Sequence, residues 1–391
     1  MTSEPIVRIA GRGEGVSESG RHVPFAIPGD MLLDDGSVVA GSHHQVPPCR
    51  HFPECGGCQL QHADDEAYRG YLRSRIEGAL AQHGLSTELR EPHLSPPNSR
   101  RRATLRAMRV GQGVVIGFNT EKSHRIVDMR ECHILRPELF ALVEPLRALL
   151  SGLLQLRRTA EIQLSLADQG VDLTLKGIDA DGLEAIEALN AFCGANRLAR
   201  LNLDRGLGPE TLYEPVPATV TLSGHRVALP SASFLQATED GEAALVAAML
   251  EVVGSGPTAD LFAGLGTFAL ALPGQVYAAE AARDAVLALK QAAPAIAVEH
   301  RDLYRRPLDL GELGRFKAVV LDPPRAGAAD QIANLASSNV PRVAYVSCNP
   351  ATFARDARTL VDGGYALDWV RPVGQFRWST HVELASAFSR P

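Results

Sequence analysis

The chain has 391 residues, 45% of them hydrophobic, and a formal net charge of −6. That length predicts two or three domains, and the negative balance excludes a protein that coats nucleic acid indiscriminately, leaving room only for a local basic surface. No run reaches the ~18 uninterrupted apolar residues of a membrane-spanning helix, and the N-terminal MTSEPIVRIAGRGEG has no apolar signal core, so a cytoplasmic protein without membrane contacts is expected.

In chain order, residues 5–45 read as short strands separated by glycine turns with no helical period, which predicts a small β-domain over 1–46. A central α+β domain follows over 47–217, with an amphipathic helix near 64–83 and strands near 103–110, 161–166 and 171–175. It opens on CRHFPECGGCQLQH, where Cys49, Cys55 and Cys58 crowd into one loop; Cys132, in MRECHIL, is the fourth candidate ligand. Crowded thiols in a cytoplasmic chain point to a metal site before disulfides. The spacing alone fits structural zinc and a [4Fe–4S] cluster equally, with plain buried thiols as the remaining alternative. SRRRATLRAMR is the densest basic run; as a strand it aligns Arg100, Arg102 and Arg106 on one face, either a phosphate track or a solvated face balanced by acids.

From about residue 218 the pattern becomes strand, loop and helix in repetition, with strands near 258–262, 275–280, 295–300, 318–322, 342–347 and 382–388. This predicts an α/β catalytic domain over 218–391, a doubly wound, mainly parallel Rossmann-like sheet. TADLFAGLGTFALAL reads as strand, glycine loop and helix: Gly264 and Gly266 let the backbone approach a ligand, and the strand ends in an acidic residue, Asp260. GLGTFA also satisfies the dinucleotide pattern G-x-G-x-x-A. Glu280 closes the next strand, where it can accept ribose hydroxyls, and Asp302 follows the third, at the adenine position. NAD and SAM both use these positions, so the pattern leaves the cofactor open.

The chemistry is more specific. AVVLDPPRAG places Asp322 at a strand's carboxyl end before two prolines that stiffen the backbone. RVAYVSCNPATFARD places Cys348 just past the next strand and before a helix beginning near Ala351, whose N-terminus is positioned to lower the thiol's pKa. STHVELASAFSR supplies Glu383, with His381 two residues earlier on the same strand face. Carbon 5 of uracil is a poor nucleophile until a thiolate adds to C6, and after methylation the C5 proton needs a base. Cys348 and Glu383 suit those two roles; the plainer readings are an inert core thiol and a solvated carboxylate.

The ordered set CRHFPECGGCQLQH with Cys132, SFLQA, DLFAGLG, AAEAARDAV, LDPPRAG, VSCNPATFARD and HVE resembles the uridine-C5 RNA methyltransferase family over nearly the whole chain, and within it the iron–sulfur branch that modifies 23S rRNA. The resemblance implies a class I SAM-methyltransferase fold and a TRAM-like, OB-related N-terminal module. It implies a [4Fe–4S] cluster on Cys49, Cys55, Cys58 and Cys132, and a SAM and uridine pocket lined by Gln236, Phe262, Gly264, Gly266, Glu280, Asp302 and Asp322. Cys348 is then the nucleophile and Glu383 the base. It favours 23S rRNA as the RNA partner, with tRNA as the alternative, and requires the target uridine to flip out of any stack. Two departures stand out: the N-terminal module is short after Pro28-Gly29-Asp30, and Thr267 stands where the family usually has Asn beside SAM. An NAD-linked oxidoreductase with an auxiliary cluster gives no role to SCNP or HVE, and an RNA-binding protein that has lost catalysis is disfavoured by intact Cys348 and Glu383. Oligomeric state is not legible.

Overall fold

Short apolar runs such as Thr258–Leu261 and Ala318–Leu321 are buried at every position. Strands covered on both faces need just such unbroken hydrophobic runs. In the computed structural model, which describes residues 3–121, 123–178 and 180–390, they build the centre of a nine-stranded sheet. Its order is Ala297–His300, Val276–Glu280, Thr258–Leu261, Ala318–Leu321, Arg342–Ser347, Glu383–Ser389, Ala366–Gly374 and Glu88–Leu89, with His93–Leu94 also paired to Ala366–Gly374. The first five strands are mutually parallel, and Glu383–Ser389 runs antiparallel to both neighbours. The strand order reverses between Thr258–Leu261 and Ala318–Leu321, the switch point where open α/β sheets bind ligands.

The described chain forms two compact units: Met1–Pro47, Gln59–Ser95 and Asp240–Pro391 in the first, Pro48–Cys58 and Pro96–Glu239 in the second. The first holds the large sheet. Its helix Asp65–Gln82 is started by Asp64, whose side chain accepts the Ala67 N–H at 2.8 Å. That helix buries Tyr68, Leu72 and Ile76 in the core that also contains Phe353, Leu360 and Phe388. The N-terminal residues form an open five-stranded sheet centred on Ser3–Ile9, with Ile6, Val23, Ala26 and Leu32 as its own small core.

The second unit is a six-stranded sheet ordered Pro209–Tyr213, Arg200–Asp204, Gly170–Lys176, Thr159–Ala167, Arg102–Val110 and Gly113–Gly117, accompanied by helices Val143–Leu153 and Leu183–Ala195. The buried Arg200–Asp172 pair at 2.7 Å, with Asn202 also donating to Asp172, satisfies the polar groups inside it.

Several expectations change. Residues 218–239 are not the start of the doubly wound repeat; they lie in the second unit and carry the hairpin Thr219–Leu222 with His225–Ala228. The segment after the glycine loop is a series of turns, not a helix. Asp260 takes the Ala269 N–H at 2.8 Å, removing it from the helical ladder, and Gly266 adopts φ +92°. A Cβ on Gly266 would sit 2.5 Å from Leu289. His381 lies outside the strand, which begins at Glu383; its ring is exposed and packs 5.2 Å from Phe376. No helix among the described residues is long and apolar enough to cross a membrane.

Candidate active site

The parallel strands that feed the site end at one edge of the sheet, and the antiparallel strand Glu383–Ser389 begins there, so the topology gathers residues far apart in sequence. Cys348 follows Arg342–Ser347 directly and is partly buried. Asn349 caps the next helix, Pro350–Asp362, its side chain accepting the Ala351 N–H at 3.2 Å. The expected lowering of the Cys348 thiol does not occur. Burial raises it, the carboxylates of Glu383 and Asp322 raise it further, and Arg325 pulls it back only in part. The same interactions make Glu383, Asp322 and Arg325 the thiol's charged neighbours. Glu383 is buried at the start of its strand and accepts a hydrogen bond from the side-chain amide of Gln375.

The side of the glycine loop is equally tight. Glu280 accepts the Gly264 N–H on one oxygen at 2.9 Å and the Ala282 N–H on the other at 2.7 Å, tying the glycine loop to the next strand. Phe262, just before Gly264, holds φ +64°, an unfavourable conformation for a side-chain-bearing residue, and such strain clusters at ligand sites. Gly264, at φ +55°, has open space where a Cβ would stand, and Thr267 is partly buried beyond it. Asp302 is partly buried, its Oδ1 accepting the Tyr304 N–H at 3.0 Å. Asp260 is fully buried, with one oxygen on Ala269 and Oδ1 without a hydrogen-bond partner among the described residues. Burial pushes its carboxyl up to about 8, with Asp322 and Glu280 adding to the shift. The carboxylates of Asp322 and Glu280 near this sealed carboxyl fit a ligand that carries positive charge.

Gln236 falls in the second unit, where it is buried and its carbonyl accepts from the Arg101 side chain at 3.0 Å. The four candidate cysteines lie in that unit too. Residues 130–132 are held against 50–51: Arg50 donates to Glu131 through its backbone N–H at 2.6 Å and its side chain at 2.9 Å, and the Arg130 N–H donates to His51 Nε2 at 2.9 Å. Burial raises Cys55 to about 11, and the neighbouring Cys132 and Cys49 thiols add to the shift. The metal site expected from the sequence is nonetheless not assembled as an ion cage: no group of three or more His, Cys, Asp or Glu among the described residues is arranged to hold a metal ion.

Arg100, Arg102 and Arg106 of the basic run are engaged within the protein, Arg106 as the acid-balanced face that was one of the two readings. Arg106 pairs with Glu161 at 2.7 Å across the sheet, Arg102 lies over the Phe234 ring at 4.6 Å, and the Arg100 guanidinium is turned towards Cys58 and Cys132. Among the site residues that sequence reasoning missed are Gln375, which carries no motif, and Tyr304, which lies in an ordinary DLYRR turn.

A family profile described as tRNA (Uracil-5-)-methyltransferase matches residues 293–390, the segment that carries Asp322, Cys348 and Glu383. An RNA methyltransferase of Zymomonas mobilis is 51% identical, covering 98% of this chain and 99% of its own length. The 23S rRNA (uracil(1939)-C(5))-methyltransferase of Yersinia enterocolitica is 32% identical over 88% of this chain and 81% of its own. The chain belongs to the uridine-C5 RNA methyltransferase family. This SAM-dependent family fixes the cofactor that the glycine loop left open. The crystal structure of the Pyrococcus abyssi tRNA (uracil-54, C5)-methyltransferase, in complex with S-adenosyl-L-homocysteine, shares the fold of this methyltransferase, with TM-score 0.78, 22% identity and 99% of each chain covered.

Proposed function

We propose that this methyltransferase forms 5-methyluridine in 23S rRNA, with Cys348 as covalent nucleophile and Glu383 as base. The observation that carries this reading is the set of charged neighbours around Cys348, which puts a buried carboxylate beside a thiol at the switch side of the sheet. The Cys348 thiolate adds to uracil C6, forming the C–S bond and moving electron density to C5. SAM supplies the methyl group that C5 accepts. Glu383 then removes the C5 proton, and the electrons of that C–H bond restore the C5–C6 double bond as the C6–S bond breaks and frees Cys348. Arg325 is positioned to favour the thiolate that begins the cycle.

Phe262, Gly264, Gly266 and Thr267 form the loop side of the cofactor pocket in this reading. Glu280 and Asp302 hold its nucleoside, and Asp322 joins the cofactor to the uridine side. The carboxylates of Glu280 and Asp322, which also help raise the buried Asp260 carboxyl, suit a cationic sulfonium. For Cys49, Cys55, Cys58 and Cys132 we propose a [4Fe–4S] cluster that ties the two cysteine segments together. The neighbouring thiols and the Arg50–Glu131 bonds support it. Anaerobic purification should give a brown protein with iron; zinc in place of iron would refute the cluster.

The rRNA target is supported by the Yersinia relative. Mapping 5-methyluridine in rRNA and tRNA from a deletion strain tests it directly. Loss from one site in 23S rRNA, restored by the wild-type gene but not by Cys348→Ala, is the expected result; loss from tRNA alone replaces the target.

A further inference from the structure

We propose that Tyr304 is a positioning residue that couples cofactor binding to the loop over the uridine, through its ring against Phe262 and its hydroxyl on the Gly327 carbonyl. The inference rests on the site being a SAM and uridine pocket. Tyr304 is tied to the cofactor side at two points. Its backbone N–H donates to Asp302 at 3.0 Å, and its ring centroid lies 5.5 Å from that of Phe262, tilted by 56°. Its third tie crosses to the other side of the site: the hydroxyl donates to the Gly327 carbonyl at 3.0 Å. A side chain 45% exposed gains too little from burial to be fixed by packing alone, so these contacts set its position.

The far end of that bond belongs to the loop that leaves Asp322. Three successive carbonyls of the loop each accept a side-chain hydrogen bond. Arg325 receives Asn349 and Thr352 at 3.2 Å each, Ala326 receives Arg355 at 3.1 Å, and Gly327 receives Tyr304. The Ala328 N–H completes the series by donating to buried Asp356 at 3.1 Å. Asn349, Thr352, Arg355 and Asp356 all come from the helix after Cys348 or its cap; Tyr304 alone comes from the cofactor side. The loop is also backed tightly against that helix. Gly327 has φ +79°, and a Cβ there would lie 2.6 Å from both Arg355 and Asp356. Movement of the loop away from the helix is therefore the motion that Tyr304 governs. A ligand that orders Phe262 and Asp302 thereby orders the loop holding Asp322, and by thermodynamic reciprocity RNA at that loop strengthens cofactor binding.

The test is a binding cycle with S-adenosyl-L-homocysteine and unmodified 23S rRNA transcript, or unmodified tRNA if mapping shows that to be the acceptor. Wild-type protein should bind S-adenosyl-L-homocysteine about fivefold or more tighter when RNA is present. Tyr304→Phe keeps the ring, so its affinity for S-adenosyl-L-homocysteine alone should stay within about twofold, but the enhancement by RNA should vanish and kcat/KM for RNA should fall about tenfold. Thr352→Val loosens the same loop from the helix side and should retain the enhancement. Full coupling in Tyr304→Phe, no coupling in the wild type, or equal loss in Thr352→Val overturns this inference alone. Failure of the wild type to bind S-adenosyl-L-homocysteine at all overturns the pocket reading and the inference with it.

Discussion

The side-chain amide of Gln375 donates to Glu383, and the two residues are only 1% and 6% exposed. A carboxylate taken that far from water depends on its donors, and the amide also fixes how the group is turned. Gln375→Leu is therefore expected to fold and bind S-adenosyl-L-homocysteine but to deprotonate C5 about tenfold or more slowly. A methylated protein–RNA adduct should become visible on denaturing gels during turnover. Unchanged kcat would remove Gln375 from the mechanism.

In the proposed mechanism Cys348 and Glu383 act on opposite sides of that adduct, so their loss should leave different species. Cys348→Ala gives no adduct and a rate lower by about 10³-fold or more, with cofactor binding intact. Glu383→Gln permits addition and methyl transfer, then stalls, and the methylated adduct accumulates. Normal turnover in Glu383→Gln, or an adduct in Cys348→Ala, reassigns the roles.

The thiol's environment predicts a pH profile. Burial first, then Glu383 and Asp322, hold the Cys348 pKa above its ordinary value of 9.0. The thiolate fraction, and with it the rate of alkylation by iodoacetamide, should still be climbing at pH 9. Glu383→Gln should move the profile to lower pH and Arg325→Ala to higher pH. An alkylation rate that levels off near neutrality would contradict the arrangement of charges around the sulfur.

The strands of the large sheet were readable because burial on both faces leaves unbroken apolar runs such as AVVL and RVAYVS, and the parallel order then places Cys348 and Asp322 at one edge without further information. Ala366–Gly374 escaped because Pro372 interrupts a strand that alternates only partly, and proline normally argues against an interior strand. The helix expected after Gly266 was lost to a side chain: nothing in TADLFAGLGTFALAL announces that Asp260 takes an amide proton from Ala269. Arg100 differs for a similar reason: the run aligns it with Arg102 and Arg106 as a phosphate track or a solvated face, whereas the fold leaves it outside the strand Arg102–Val110, where it interacts with Cys58 and Cys132.

Asp260 offers a stability measurement independent of catalysis. Its carboxyl is raised from 3.8 to about 8, so the folded state retains a proton that the unfolded chain releases. Folding stability attributable to this group is full below about pH 4 and declines as pH rises towards 8. Asp260→Asn, which has no proton to lose, should gain thermal stability relative to the wild type as pH rises across that window, in the absence of ligand. A pH-independent difference between the two proteins would mean that Asp260 is ionised in the folded state.

Glu383–Ser389 is the last strand in the chain, yet it lies between Arg342–Ser347 and Ala366–Gly374 rather than at an edge of the sheet. A polypeptide growing from its N-terminus therefore has a slit in its main sheet until residues 383–389 have left the ribosome, and the residue proposed as general base arrives in the piece that closes it. Cys348 emerges earlier, but in the proposed mechanism, without Glu383, it can at most form a bond to RNA that it cannot resolve into product. Completion of the sheet and completion of the proposed catalytic pair are then one event, so a chain cut before residue 383 has neither a finished sheet nor the carboxylate that the proposed cycle needs.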